Sequence, residues 1–401
     1  MKTKTGIFAI VLFFLSFFLY LLMAGQSPTR FQKTNFAYFN LLAESFLGRK
    51  YDLIHPPANP FDLSYYKGAI YLPWGPLPAV ILMPVVKIWG GEVSDRIYTP
   101  FFGALNVSLL FLTLMLIGKL YPKFHVRDAI ILTIFYAIGT VNFSVSTVGQ
   151  VWFTSQVMTL TIFLFSLYAL FKYFISRHWF WLSVALIFWL ISITGRLWYV
   201  MFTPLYLGSF FYFPQEQKER TFIIISFLLS ALIMVRFYGV YNLRRFGSLF
   251  ETGYTYQRQA NNFIKIEKDY GKYNSFFLAK NVWYEFIKPL LPPRFKPDPM
   301  GNGLLVTSPV FILLFFFWKK TMNKKIFFLL LSGVVSYTIP VMLFFGTGYV
   351  QFGHRYLFEI VPPLILMTAL LVSFMPKKLL YLLIGYSILI HSWGAYWLVT
   401  R

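Results

Sequence analysis

"AIYLPWGPLPAVILMPVVKIWG", residues 69–90, is long and apolar enough to cross a bilayer. Whether it crosses decides the side on which every later loop lies. Pro73, Pro76, Pro78, Pro84 and Lys87 all fall inside it. Each proline lacks an N–H and blocks a bond to a carbonyl one turn back. In hydrocarbon those carbonyls would have no water to turn to. The stretch is therefore read as unthreaded, with residues 76–90 forming an interfacial helix on the outer leaflet.

Charge supports that choice. Around this stretch the chain reads as about eleven apolar spans, near 6–24, 97–118, 129–147, 152–171, 179–196, 197–213, 221–241, 303–318, 326–346, 357–375 and 379–399. Lys2, Lys4 and the short connections around 119–128, 172–177, 216–220, 319–325 and 377–378 carry fifteen cations against three acids. Cytoplasmic loops carry the lysine and arginine excess, so the N-terminus is expected inside and the C-terminus outside. If 69–90 crossed, thirteen of the fifteen cations would face outward. The first run, Gly6–Met23, is followed by "AGQ", a weak cleavage site, and reads as an uncleaved span.

Composition agrees. The chain of 401 residues is 58% hydrophobic and 12% charged, against about 25% charged in soluble domains. The expected class is all-α, a polytopic transmembrane helical bundle with interfacial helices in the first outer loop, in the cell membrane. The net charge of +22 is scattered between apolar spans, which points to membrane topology and anionic lipids and not to nucleic acid. There is no cysteine, which excludes disulfides and thiolate chemistry. Three regions are expected: 1–241 with the first outer loop 25–95, the outer loop 242–302, and 303–401.

The two outer segments hold ten of the fourteen acids. Loops of that length in a compact protein carry function or a small fold of their own. In "NFAYFNLLAESFLGR" (35–49), Phe36, Phe39, Leu42 and Phe46 make an apolar stripe. A second interfacial helix is expected there. Between the two helices runs "YDLIHPPANPFDLSYYKG" (51–68), with Asp52 and Asp62 as candidate carboxylates; either also fits a turn cap. Arg244, Arg245, Arg258, Arg294 and Lys296 in the second segment offer phosphate-binding groups. In "GTGYVQFGHRYLFEIVPP" (346–363), His354, Arg355 and Glu359 gather at a span end. Arg355 and Glu359, at i,i+4, fit a salt bridge as well as phosphate binding. Arg196 holds a similar place.

No Walker loop, dinucleotide fingerprint, nucleophile elbow or HExxH occurs. Glu267 and Asp269 could begin a metal pair, but no third ligand is assigned. No cofactor is called for, and a divalent metal stays open.

The layout, one span, a long outer loop with two interfacial helices, then a multi-span bundle, resembles the GT-C class of membrane glycosyltransferases. "KYDLIHPP", "YLPWGPLPAVILMPVVKIWG", "NLRRFGSLFETGY", "LLVTSPVF" and "GYVQFGHRYLFEIVPPLILM" are similar to stretches of bacterial and archaeal relatives of the dolichyl-phosphate-mannose protein mannosyltransferases. The resemblance implies a sugar donor on a polyprenyl phosphate, transfer on the extracytoplasmic face, and a catalytic carboxylate in the first outer loop. Many members carry an Asp-Glu pair just after the first span, where this chain has Thr34-Asn35. The base is then expected to be Asp62 or Asp52. Arg355, with Arg244 or Arg245 and His354, is expected on the donor phosphate. The acceptor is not specified. The alternatives are a lipid or solute transporter, disfavoured because ionisable residues avoid span centres, and a glycolipid-binding protein without turnover.

Overall fold

The structure, a computed structural model, describes residues 2–57, 60–213, 216–258, 261–290 and 297–401. The helices in the first part of the chain are α1 (Lys2–Ala24), α2 (Tyr38–Leu47), α3 (Leu77–Trp89), α4 (Asp95–Leu120), α5 (Val126–Ile138), α6 (Asn142–Val148), α7 (Val151–Ser176), α8 (Trp179–Gly195), α9 (Thr203–Tyr212) and α10 (Gln217–Phe246). They continue with α11 (Asn261–Tyr270), α12 (Leu278–Val282), α13 (Leu304–Thr307), α14 (Leu313–Phe317), α15 (Lys324–Leu343), α16 (Val361–Ala369) and α17 (Lys377–Val399). Helix α7 lies at the centre, packed between α4 and α8, with α1 outside α4 and α10 outside α8. The protein is a multi-pass helical membrane protein.

Helix length and composition do not reproduce the expected count of about eleven spans. Among the described residues six helices, α1, α4, α7, α10, α15 and α17, are long and apolar enough to cross a membrane. The pair α5 and α6, bent by 50°, would make a seventh. The other four expected spans are short or broken. Helix α8 has 17 residues. Segment 197–213 is a 3-10 turn followed by α9, with Pro204 in its first turn. Segment 303–318 is divided at Ser308-Pro309, and α16 starts on Pro362-Pro363 after a 3-10 turn. Proline ends the helical ladder in each of these three. Polar side chains take up some freed carbonyls at the breaks. At the α5–α6 bend Tyr20 Oη donates to Ala137 O at 2.8 Å and Ser308 Oγ to Gly139 O at 3.0 Å. Broken helices inside a membrane bundle require such partners.

The stretch that decides the fold does not span. It begins as strand β2 (Ala69–Tyr71) and ends as α3, whose 13 residues are too short to cross. Helix α3 packs on α2. Phe39, Leu42, Leu53, Leu63, Leu72, Leu82 and Val86 form a second apolar core over Tyr98, Val151 and Met158 of α4 and α7. The loop before α3 presses on the end of α8: a Cβ at Gly75 would sit 2.2 Å from Thr194 O. Only glycine fits so close an approach.

A feature outside the all-α expectation is a small hairpin, β1 (Ser64–Tyr66) paired antiparallel with β2. Its two-residue turn, Lys67 and Gly68, has φ of 48° and 78°. Positive φ at both central positions marks the type I′ turn, which matches the twist of the flanking strands.

The two long segments meet. Ser64 bridges Gln257 in antiparallel fashion, Arg258 N donates to Leu63 O at 3.0 Å, and Ser64 Oγ donates to Gly253 O at 2.7 Å. On its other edge the second segment joins the chain around 341–354. Asn281 Nδ2 donates to Val341, Met342 and Phe344 carbonyls, and Met300 bridges Gln351. Both segments therefore sit at one end of the bundle. At the opposite end Lys377 Nζ holds Asp128 Oδ1 at 2.7 Å.

Candidate functional site

The hairpin and the second segment place Asp62 between them. Its backbone φ is 59°, in the left-handed region, which aspartate tolerates better than most residues. The carbonyl of Asp62 accepts a bond from Gln257 Nε2 at 3.1 Å, and the neighbouring Phe61 N donates to Tyr38 Oη at 3.2 Å. Among the described residues its carboxylate accepts one bond, from Trp152 Nε1 to Oδ2 at 3.2 Å, and none reaches Oδ1. Burial pushes the carboxyl above the ordinary aspartate range; the Trp152 bond and the nearby Arg355 charge pull it back part of the way. An opened, partly dehydrated carboxylate with a raised proton affinity suits a general base.

Arg355 comes from the far end of the sequence. It opens a 3-10 turn, Arg355–Ile360, and is 8% exposed. Its guanidinium lies over the rings of Phe153 and Tyr356, 5.3 and 5.4 Å from their centroids. Its Nε has no hydrogen-bond partner, and among the described residues no carboxylate pairs with it. A planar fork held by aromatic faces and left without an acceptor is set up for an oxyanion. Tyr254, 37% exposed, stands close enough for the charges of Arg196 and Asp62 to act on its hydroxyl. The site thus gathers Asp62 and Tyr254 from the two long segments, Trp152 and Phe153 from the start of α7, and Arg355.

The other expected residues lie elsewhere or are engaged within the chain. Asp52 sits in a turn beside Tyr71, whose hydroxyl is raised first by burial and then by the Asp52 charge. Arg244 is exposed at the end of α10. Arg245 is buried and held: Nη1 donates to Leu72 O at 2.8 Å, Nη2 to Asn242 Oδ1 at 2.7 Å, and the guanidinium stacks on Tyr241 at 3.8 Å. It locks the hairpin to α10. His354 is buried, with Nδ1 2.8 Å from Glu285 Oε2, and so joins the second segment to the loop before Arg355. Arg258 lies over the Tyr65 ring at 3.8 Å. Arg294 and Lys296 lie outside the described residues.

The Arg355–Glu359 pair read from i,i+4 spacing does not form. The turn is 3-10, with three residues per turn, so that spacing no longer faces one way. Glu359, fully buried, pairs instead with Arg196, Nε to Oε1 at 2.9 Å. Thr34 also has a partner: its N and Oγ1 donate to Asp95 at 2.9 and 2.5 Å, and Gln150 N donates to the same carboxylate at 2.8 Å. Glu267 pairs with Lys272 at 3.2 Å. Among the described residues no group of three or more His, Asp or Glu could hold a metal ion.

The residues that sequence reasoning passed over are Trp152, Gln156, Tyr254 and Gln257. Gln156 carried a usable signal, an amide inside an apolar span. Trp152 carried none, since tryptophan at a span end is ordinary.

No family profile matches the chain, and no curated protein sequence does. Solved structures do resemble it. ArnT from Cupriavidus metallidurans, bound to undecaprenyl phosphate, superposes with a TM-score of 0.56 at 10% identity, over 94% of this chain and 62% of that one. The oligosaccharyltransferase AglB from Archaeoglobus fulgidus, in complex with an inhibitory peptide and a dolichol-phosphate, gives 0.50 at 12% identity, over 96% and 55%. The Archaeoglobus fulgidus oligosaccharyltransferase tethered to an acceptor peptide gives 0.53 at 12% identity, over 96% and 54%. The chain spans less than two thirds of each of these proteins. The likeness runs along nearly the whole chain, which has the fold shared by these GT-C membrane glycosyltransferases.

Proposed function

We propose that the protein is a glycosyltransferase that moves a sugar from a polyprenyl-phosphate donor to an acceptor at the extracytoplasmic face of the cell membrane. The observation that carries this reading is that Asp62 and Arg355, 293 positions apart in the sequence (355 − 62), both meet the start of α7, Asp62 through the Trp152 N–H and Arg355 over the Phe153 ring. Asp62 takes the proton of the acceptor hydroxyl as its oxygen bonds the anomeric carbon. The bond from that carbon to the phosphate oxygen breaks, and the polyprenyl phosphate leaves with the electron pair. Arg355 stabilises the departing phosphate in a site of low dielectric. Trp152 fixes one carboxylate oxygen and leaves the other to face the acceptor. The excess of cations at the opposite end supports an extracytoplasmic site. Asp52 and Arg244 lie outside this arrangement, and Arg245 and His354 support it through the hairpin and the second segment.

The test is release of polyprenyl phosphate by purified protein in nanodiscs, supplied with a panel of undecaprenyl-phosphate-linked hexoses and a crude envelope acceptor fraction. Wild type releases it from at least one donor, and Asp62→Asn does not. Asparagine keeps the left-handed backbone and one oxygen for Trp152. Undiminished release by Asp62→Asn defeats the assignment of the base.

A further inference from the structure

Helix α7 meets the site with its first two turns. Trp152 holds Asp62, Phe153 lies under Arg355, and Gln156 reaches the turn that carries Arg355. Gln156 is buried, and its Nε2 donates to Arg355 O at 2.6 Å and faces Glu359 Oε1 and Oε2 at 3.2 and 3.3 Å. Glu359 in turn pairs with Arg196 at the end of α8, and Tyr337 of α15 lies close enough for its hydroxyl to feel the Glu359 charge. Three helices thus converge on one buried carboxylate, and Gln156 is the member that also touches the Arg355 backbone.

We propose that Gln156 is a positioning residue that sets where the Arg355 guanidinium stands relative to Asp62. The inference rests on the reading of Arg355 as the phosphate-binding group. Trp152 and Gln156 are one helical turn apart, about 6 Å along the axis. They share a face, so α7 holds the carboxylate and the arginine turn at a fixed separation. The site needs a neutral donor at position 156. A carboxylate there would face Glu359 and the Arg355 carbonyl, like against like. An aliphatic side chain would leave the Arg355 carbonyl without this donor and Glu359 with Arg196 alone. Asparagine, shorter by one methylene, would keep the chemistry and lose the reach.

The experiment is a double-mutant cycle read by undecaprenyl phosphate binding to the purified protein in nanodiscs, with transfer kinetics beside it. Arg355→Gln is expected to weaken binding by one to two orders of magnitude. Gln156→Leu and Gln156→Asn are each expected to weaken it about tenfold and to lower kcat, leaving KM for the acceptor unchanged. In the Arg355→Gln background the Gln156 changes are expected to add nothing, because their effect passes through the missing guanidinium. Full additivity overturns the positioning role and leaves Arg355 in place. An Arg355→Gln protein that binds as wild type does removes the phosphate reading and this inference together. If Gln156→Leu fails to fold, Gln156→Asn carries the cycle. A loss of melting temperature in both variants with unchanged binding also overturns the proposal.

Discussion

Two carboxylates are held at the N-terminal end of α7 and have opposite surroundings. Asp95 accepts from the backbone of Gln150, and Asp62 accepts from the side chain of Trp152, two residues on. Asp95 is fully buried and has three donors, two of them backbone N–H groups. Among the described residues Asp62 has one donor, Trp152, with no donor on its second oxygen, and an arginine close by. A saturated carboxylate holds structure together, and an unsaturated one beside a free guanidinium is available for chemistry. Arg245 and Arg355 repeat the contrast. Both are buried and stacked on aromatic rings. Arg245 donates to two carbonyls and an amide, whereas among the described residues no acceptor meets the Arg355 Nε.

The contrast can be broken by exchanging the consequences. Asp62→Asn should lower transfer by roughly a hundredfold to ten-thousandfold, the range for loss of a general base. Its melting temperature at neutral pH should not fall. The sign follows from linkage: a raised carboxyl in the folded state means that ionising it costs stability as pH rises from the ordinary aspartate range through the folded value. The neutral amide removes that cost, so Asp62→Asn should melt slightly higher at pH 7 and no higher in acid below that range. Arg355→Gln should lower transfer by roughly a hundredfold or more, as removal of an oxyanion-stabilising donor does. Arg245→Gln should instead lower the melting temperature while the surviving folded protein keeps most of its turnover.

Asp95→Asn carries the reverse expectation. The amide cannot accept from Thr34 N, Thr34 Oγ1 and Gln150 N together, so a buried donor is left unpaired. That costs about 2 kcal/mol or more of stability. Thermal melting should show it, and transfer measured well below the melting point should stay within about tenfold of wild type. Loss of transfer without loss of stability would reverse the roles given to Asp62 and Asp95. Thr34→Val, which removes one of the three donors, should show the same pattern in milder form.

Much of the frame was legible from proline and lysine. Pro73, Pro76, Pro78 and Pro84 kept residues 69–90 from being read as a span, and the structure makes them a strand, a loop and a short helix. The apolar stripe through Phe39 and Leu42 marked α2. The hairpin was missed although Lys67-Gly68 sits between Tyr66 and Ala69; glycine at the second turn position and flanking tyrosines are a hairpin signal in their own right. The broken spans were missed because hydropathy counts side chains and ignores which carbonyls a proline sets free. In the site, single charged residues in loops were visible, but their partners were not. Asp62 and Arg355 stood out by charge and position. That Glu359 belongs to Arg196 and not to Arg355 depends on a 3-10 turn, and helical spacing misleads there.

The smallest expected effect tests the Trp152 bond. Trp152→Phe keeps the aromatic packing against Phe36 and Trp74 and removes only the indole N–H. That N–H favours the charged carboxylate of Asp62, and burial opposes it. Without it the carboxyl holds its proton to a still higher pH. A general base must be unprotonated to act, so the acid limb of the kcat/KM profile should move up by about one pH unit, a hydrogen bond to a charged group being worth about 1.5 kcal/mol. At high pH the variant should recover most of the wild-type rate, which a packing defect would not allow. The same change should leave the Asp95 corner and the melting temperature in acid nearly untouched, because Gln150 donates there through its backbone. A uniform loss of rate at every pH would mean that Trp152 shapes the cleft without tuning Asp62.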